Sequence, residues 1–267
     1  MFVSLTTDFG HAYTAICAGV VATIAPEADV LVLSDEVTPY AITEGALLLR
    51  QALPYLPAGV HAAIIDPGVG TPRRPIAIRT RRGDTLVGPD NGLLMPAAAR
   101  LGLERAYLLE NPAYRLAEVS TSFHGRDVFS PAAAHLASGT DITELGPELS
   151  LDGLQALDIP EPEIANGRLT ATVLYTDPFG SLILSAERKH LEEAVGPLEH
   201  GTVLETEAGP VSFESTYGSV PKGHPLLWVD SSGQLGLAVN QGSAAERFGL
   251  ADGDALTLRG RPGSATR

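Results

Sequence analysis

Val60-His61-Ala62-Ala63-Ile64-Ile65-Asp66-Pro67-Gly68-Val69-Gly70-Thr71-Pro72-Arg73-Arg74 is the stretch that decides how this chain is read. Its first six residues form an apolar run of strand length, closed by a Pro-Gly turn, and predict a buried strand. Asp66 is thereby carried to the rim of a sheet. It sits in a loop whose two glycines let backbone approach a ligand closely. Two arginines follow at once. A second stretch, Ser122-Phe123-His124-Gly125-Arg126-Asp127, places a histidine just ahead of a helix-like segment running from Asp127 to Leu136. An acid, a base and a cation on loops held by rigid elements are the parts of a reactive site.

Outward from Asp66, strand-like and helical runs alternate up to about residue 155. Met1 to Leu5, Val30 to Ser34, Val60 to Ile65, Pro75 to Arg79 and Arg105 to Leu109 read as strands. Ala12 to Ile24, Ile42 to Leu53, Leu93 to Leu101 and Phe129 to Ala137 have helical spacing and Ala/Leu content. The alternation predicts an α/β domain over residues 1–158 with a largely parallel sheet. Ligands of such sheets sit outside the carboxyl ends of the strands. Thr6-Thr7-Asp8-Phe9-Gly10, the Asp66 loop and Gly88-Pro89-Asp90-Asn91-Gly92 all fit that position.

The texture changes at Leu157-Asp158-Ile159-Pro160-Glu161-Pro162-Glu163, where two prolines among acids predict a semi-rigid linker over 159–167. Six short alternating segments follow: Leu169 to Tyr175, Leu182 to Ser185, Val203 to Glu207, Pro225 to Val229, Leu235 to Val239 and Ala255 to Arg259. They predict a second, all-β domain over 168–267, barrel-like or a sandwich.

Composition narrows the function classes. With 267 residues, 44% apolar and 19% charged, the chain reads as an ordinary globular protein with ample core. A net charge of −14 argues against nucleic acid, which needs clustered Lys and Arg. The same charge suits a cationic small molecule as well as plain solubility. The single cysteine, Cys17, excludes an intramolecular disulfide and a Cys-rich zinc site, and its apolar helical surroundings make it a core thiol. The seven histidines are scattered, with no paired spacing for a metal, and the loop after Asp66 lacks the spacing of a phosphate-binding P-loop. No basic-then-apolar leader and no apolar run of about 18 residues occur, so a cytoplasmic protein without membrane attachment is expected.

Taken singly, the polar residues have ordinary explanations. Asp8 could cap a turn or the following helix, or accept bonds from ribose hydroxyls as acids at strand ends do. Asp66 could close its turn, Arg73 and Arg74 could be solvated, and His124 could be a structural histidine.

Together they form a pattern. Thr7-Asp8-Phe9-Gly10, the Asp66-to-Arg74 string, Pro89-Asp90-Asn91-Gly92 and Ser122-to-Asp127 resemble the S-adenosylmethionine hydroxide adenosyltransferase family, which groups with the fluorinases and chlorinases. Asp177-Pro178-Phe179-Gly180 and Asn240-Gln241-Gly242-Ser243-Ala244-Ala245 continue the match, in one order from about residue 3 to residue 260. The resemblance implies an N-terminal α/β domain and a C-terminal β-barrel domain. It further implies a homotrimer with each site at a subunit interface, and attack of water on ribose C5′ of S-adenosylmethionine to give adenosine and L-methionine. No metal or organic cofactor is implied.

Position by position, Asp66, Arg73 and His124 match the trio that holds and activates the water. Asp8 matches the acid on both ribose hydroxyls. Tyr40, Phe123 and Phe179 match aromatics of the ribose and adenine pocket. Asp177 and Ser231 match positions receiving the methionine amino and carboxylate groups, and Val239, Asn240 and Gln241 present backbone to adenine. Ser181 stands where an Asn usually contacts adenine. Tyr13, Val32, Asp35 and Ser232 also depart from the family pattern. These departures leave open a non-catalytic adenosine or S-adenosylmethionine sensor.

A halogenase is the nearer alternative. Fluorinases resemble this chain but place a tyrosine at the position of Asp66 and hydroxyl residues at those of Val69 and Gly125. A carboxylate about 4 Å from a bound halide would repel it by roughly 4 kcal/mol at an effective dielectric near 20. Water is therefore the expected nucleophile.

Overall fold

The computed structural model describes residues 1–261 of the chain and divides it into two compact units, Met1–Asp158 and the remainder from Ile159. In chain order the first unit contains β1 (Phe2–Thr7), α1 (Gly10–Ile24), β2 (Asp29–Ser34), α2 (Ile42–Ala52), β3 (Val60–Ile64), β4 (Pro75–Thr80) and β5 (Thr85–Pro89). It continues with α3 (Met95–Leu101), β6 (Leu103–Leu108), α4 (Ser130–Ala137) and β7 (Glu148–Leu149).

Its sheet runs β2-β1-β3-β5-β4-β6-β7. The first four strands are mutually parallel, and β4, β6 and β7 follow beyond β5, each antiparallel to its neighbour. Alternate residues of each strand serve opposite faces, as the two-residue period of a pleated strand requires. Val3, Leu5, Ala62 and Ile64 pack with Cys17, Val21 and Phe129 under α1 and α4. Ala63, Ile65, Ile76 and Ile78 pack with Ala46, Leu49 and Ala97 under α2 and α3. Helices thus cover both faces, and Cys17 is a fully buried member of the first core.

The second unit contains β8 (Glu163–Ala165), β9 (Arg168–Thr176), β10 (Leu182–Glu187), α5 (Arg188–Val195), β11 (Thr202–Thr206), β12 (Gly209–Phe213), β13 (Pro225–Val229), β14 (Gln234–Val239), α6 (Ala244–Phe248) and β15 (Ala255–Gly260). The order β10-β14-β13-β12-β11-β15-β9 closes through a β10–β9 pairing into a seven-stranded barrel. Closure leaves no free edge within the ring. The interior is filled by Leu169, Val173, Leu184, Leu204, Phe213, Leu227, Leu237 and Leu258.

Six elements have no counterpart in the sequence reading: β5, β7, β8, β12 and the short helices α5 and α6, the last two within the domain expected to be all-β. Within the segment expected to be a linker, β8 pairs antiparallel with β9, so only 159–162 and the turn at Asn166-Gly167 are irregular. β5 and β12 were missed because Gly88-Pro89 and Gly209-Pro210 read as turns; the tertiary ladder overrides that local signal.

Candidate active site

β1, β3 and β5 are parallel neighbours, so their carboxyl ends form one row carrying Asp8, Asp66 and Asp90. This is the rim on which open α/β sheets place their ligands. The Asp66 loop turns tightly: Val69 N–H donates to the Asp66 carbonyl and Thr71 N–H to the Gly68 carbonyl, each at 3.1 Å. Gly70 has φ +77°, and a Cβ there would lie 2.6 Å from the Thr121 carbonyl oxygen, so only glycine fits.

The turn returns Arg73 onto Asp66. Arg73 Nε donates to Asp66 Oδ1 and Oδ2 at 2.9 and 3.0 Å, and Nη2 donates to Oδ2 as well. The same Nη2 lies 2.9 Å from His124 Nδ1. Both charged side chains are largely buried, at 10% and 6% exposure, and the guanidinium sits 5.0 Å from the centroid of the Phe129 ring. The three residues that sequence comparison nominated thus form one connected group.

The geometry fixes the tautomer of His124. A guanidinium only donates, so Nδ1 must be the acceptor, and the proton of the neutral ring is on Nε2. Burial pushes the His124 pKa down, and the Arg73 charge pushes it further; Asp66 opposes this and Arg115 adds to it. Arg115 is a residue that sequence reasoning missed. Burial and the Arg73 charge lower its own pKa, against Glu110, and it donates to the Leu109 carbonyl.

His124 is followed by a single wide turn, Gly125–Phe129, in which Ser130 N–H reaches back to the Gly125 carbonyl. Such π turns recur at functional sites. Asp127, fully buried, holds it: Arg126 Nε donates to Oδ1 at 2.6 Å and Ser120 N–H to Oδ2 at 2.8 Å. Beside this turn lies a cavity of about 470 Å³ lined by Phe9, Tyr13, Ser120, Ser122, Phe123 and Arg126. Phe123 meets Phe9 and Tyr13 edge-on, both at 5.7 Å between centroids.

Asp8 accepts the N–H of Tyr40 on Oδ2 at 2.8 Å; Tyr40 has φ +70° and is 72% exposed. Burial raises the Asp8 pKa; the Tyr40 hydrogen bond opposes this and the Asp66 charge adds to it. Of the departures from the family pattern, Asp35 pairs with His11 at 2.9 Å, and Val32 lies half-exposed on β2.

The second unit brings together a different set. Phe179, Ser181, Val239, Asn240, Gln241 and Gly242 line a cavity of about 480 Å³ with Tyr217. Asp177 shapes its floor: Oδ1 accepts the N–H groups of Phe179 and Ser181 at 2.9 and 2.8 Å, an Asx turn. Gly180 follows at φ +79°, and a Cβ there would strike Ser243 at 2.4 Å. Its carbonyl receives the N–H groups of Ala244 and Ala245, which start α6. Asn240 donates its side-chain amide to the Val220 carbonyl at 2.7 Å, while its backbone N–H donates to the His224 carbonyl and its own carbonyl accepts the Gly223 N–H.

Tyr217 was missed because a lone tyrosine in Ser-Thr-Tyr-Gly carries no periodic signal. Its ring lies 5.1 Å from Trp228, and burial and the Asp177 charge push its phenol up, against a bond from Ser181. Ser231 is exposed on the turn after β13 and does not line the cavity. Its neighbour Ser232 donates its hydroxyl to Asp230 at 2.7 Å. Among the described residues, no group of three or more His, Cys, Asp or Glu side chains is placed to hold a metal. No described helix is long and apolar enough to cross a membrane.

Comparison with known proteins finds relatives of both units. Residues 3–146 match the SAM hydroxide adenosyltransferase N-terminal domain and residues 171–257 its C-terminal domain. The (R)-S-adenosyl-L-methionine hydrolase of Salinispora tropica is 45% identical over 96% of this chain and 97% of its own length. That of Thermus thermophilus is 40% identical over 94% and 97%. The crystal structure of an uncharacterized conserved protein from Thermotoga maritima superimposes with a TM-score of 0.86 at 28% identity, covering 97% of this chain and all of that one. With both domain models matched in order across the two units, the chain belongs to the S-adenosylmethionine hydroxide adenosyltransferase family.

Proposed function

We propose that this protein hydrolyses S-adenosyl-L-methionine to adenosine and L-methionine, with Asp66, Arg73 and His124 as the catalytic group. The observation that carries the reading is the single Arg73 nitrogen bonded to both Asp66 and His124 Nδ1. It leaves a carboxylate able to accept a proton from water, and a neutral imidazole whose Nε2–H can donate to the same oxygen. A water lone pair forms the O–C5′ bond as the C5′–S bond breaks, and the bonding pair leaves on sulfur as a neutral thioether. The water proton passes to Asp66 or to solvent. A sulfonium needs no general acid, so alignment and exclusion of bulk water supply the acceleration.

Arg73 also changes the comparison with halide chemistry. Its pairing with Asp66 reduces the repulsion that an isolated carboxylate would exert, so selection against halide rests on the acceptor character of Asp66 as well as on charge.

In the same proposal, Asp8, Tyr40 and Phe123 receive the ribose side. Phe179, Ser181, Tyr217 and the backbone of 239–241 receive adenine, and Asp177 and Ser231 the methionine end. The enzyme acts in the cytoplasm as a homotrimer, with residues of both units meeting across subunits. An apolar surface favours self-association. Val30, Leu31 and Val32 on β2, which ends the sheet, are 36–38% exposed, and Tyr13 and Ile16 on α1 are 56% and 45% exposed.

Incubating the protein with S-adenosylmethionine and resolving products by chromatography tests the activity. Equimolar adenosine and methionine are expected. Folded protein that binds substrate calorimetrically and releases neither would establish the sensor reading instead. Light scattering tests the trimer.

A further inference from the structure

Pro89-Asp90-Asn91-Gly92 is the sequence motif to which the chemistry above gives no task. The structure lays it across the loop that carries Asp66 and Arg73. Asn91 Nδ2 donates to the carbonyl of Ile65, the residue before Asp66, at 2.9 Å, and its Oδ1 accepts Leu93 N–H at 3.2 Å. Asp90 works on the other end. Its N–H donates to the carbonyl of Arg74, the residue after Arg73, at 2.9 Å. Its Oδ2 takes Arg74 Nε at 2.9 Å and Nη2 besides. The second oxygen accepts Gln155 N–H at 2.9 Å, while Arg74 Nη2 also reaches the Gly153 carbonyl. The Asp90 side chain is 2% exposed and that of Arg74 36%.

Adjacent residues of one turn therefore pin both ends of the 65–74 loop. We infer that Asp90 and Asn91 are positioning residues for the hydrolysis: a two-point clamp, completed by Arg74, that holds Asp66 and Arg73 in register with His124. The need is electrostatic. A sulfonium arriving beside Asp66 competes with Arg73 for the same carboxylate, and a loop free to widen would let that contact go. Fixing both loop ends keeps Arg73 between the carboxylate and Nδ1 while the cation binds. The inference rests on the hydrolase reading for its consequence, and on the geometry alone for the clamp.

Three variants test it. Asp90→Asn keeps an acceptor for Gln155 but turns an amide toward the Arg74 donors; Asn91→Asp sets a carboxylate against the Ile65 carbonyl. Arg74→Lys keeps the charge and loses the two-nitrogen grip. For Asp90→Asn and Asn91→Asp, kcat is expected to fall about 10- to 100-fold with KM within about threefold, the pattern of a misaligned reacting group. Arg74→Lys is expected to lose less. In all three the acid limb of the kcat–pH profile moves to higher pH, because a displaced Arg73 no longer holds the His124 pKa down. Lost folding alone would lower the active fraction without moving that limb. NMR titration of His124 in the ligand-free proteins reads the same upward shift without turnover. Should a buried variant fail to fold, Arg74→Lys, at a partly exposed position, carries the comparison. An unmoved His124 titration in the folded variants, or a rise in KM at constant kcat, overturns the clamp. A parent protein that releases no adenosine overturns the hydrolase reading, and a shifted His124 titration upholds the clamp even then.

Discussion

The two candidate clusters are held together by different means. In the first unit Asp66, Arg73, His124 and Asp90 are fixed by charge-assisted bonds among largely buried side chains. In the second, Asp177, Ser181 and Asn240 are fixed by bonds between side chains and backbone around an open cavity, and Phe179 remains 80% exposed. Charge-assisted bonds between buried groups are the stronger and more directional kind. That suits groups that must meet a transition state to within fractions of an ångström. Turn-stabilised loops with exposed rings suit recognition of a flat base, where shape and area matter more than a single angle.

The largest expected effect comes from removing the carboxylate. Asp66→Ala should reduce kcat by about 10²- to 10⁴-fold, the range of general base catalysis, while isothermal calorimetry still detects substrate binding. An unchanged rate would remove Asp66 from the chemistry and dissolve the contrast between the clusters.

Protonation of His124 is the next test. Its pKa lies below the ordinary 6.5, so the ring is neutral at pH 7 and gains a proton only as pH falls through the depressed value. Protonated Nδ1 cannot accept from Arg73. The kcat profile should therefore lose activity on the acid side, at a midpoint below that of an ordinary histidine, and Arg73→Gln, which removes the positive charge beside the ring, should move the midpoint up. A profile flat through that range would break the assignment.

Tyr217→Ala probes the second unit. Loss of a stacking ring is worth about 0.5–1.5 kcal/mol, so KM should rise by up to about tenfold with kcat little changed. A fall in kcat instead would place reaction chemistry in the second cluster.

The smallest effect concerns stability and involves neither cluster. His61, 1% exposed, joins Ser4 at 2.7 Å and Asp84 at 3.2 Å, and Arg82 donates to the same carboxylate. Burial holds His61 below its ordinary 6.5, despite Asp84. Stability from this site is full above the unfolded value and is lost as pH falls from there toward the folded value, by about 1.4 kcal/mol per pH unit. Thermal melts at pH 7 and pH 5.5 should show the parent losing more than His61→Gln. Equal losses would exclude the site as a source.

Much of this was legible locally. The run 60–65 predicts β3 because apolar residues of strand length closed by Pro-Gly have few other uses, and Asp66 and Arg73 are close enough in sequence for one turn to join them. His124 became part of the group only by resemblance, since 51 residues separate it from Arg73. Tyr217, Arg115 and the role of Asp90 could not be read at all. Their meaning lies in partners distant along the chain, and β12 was concealed by its own Gly-Pro.

Hydrophobic period and turn chemistry act over a few residues, and they suffice for the alternation of elements, the change of texture near residue 160 and the placing of Asp8 and Asp66 at strand ends. Long-range packing sets β1, β3 and β5 side by side, brings one guanidinium between Asp66 and His124, and closes seven strands on themselves. Those outcomes depend on which distant surfaces bury each other, and burial is a property of the whole unit rather than of any segment.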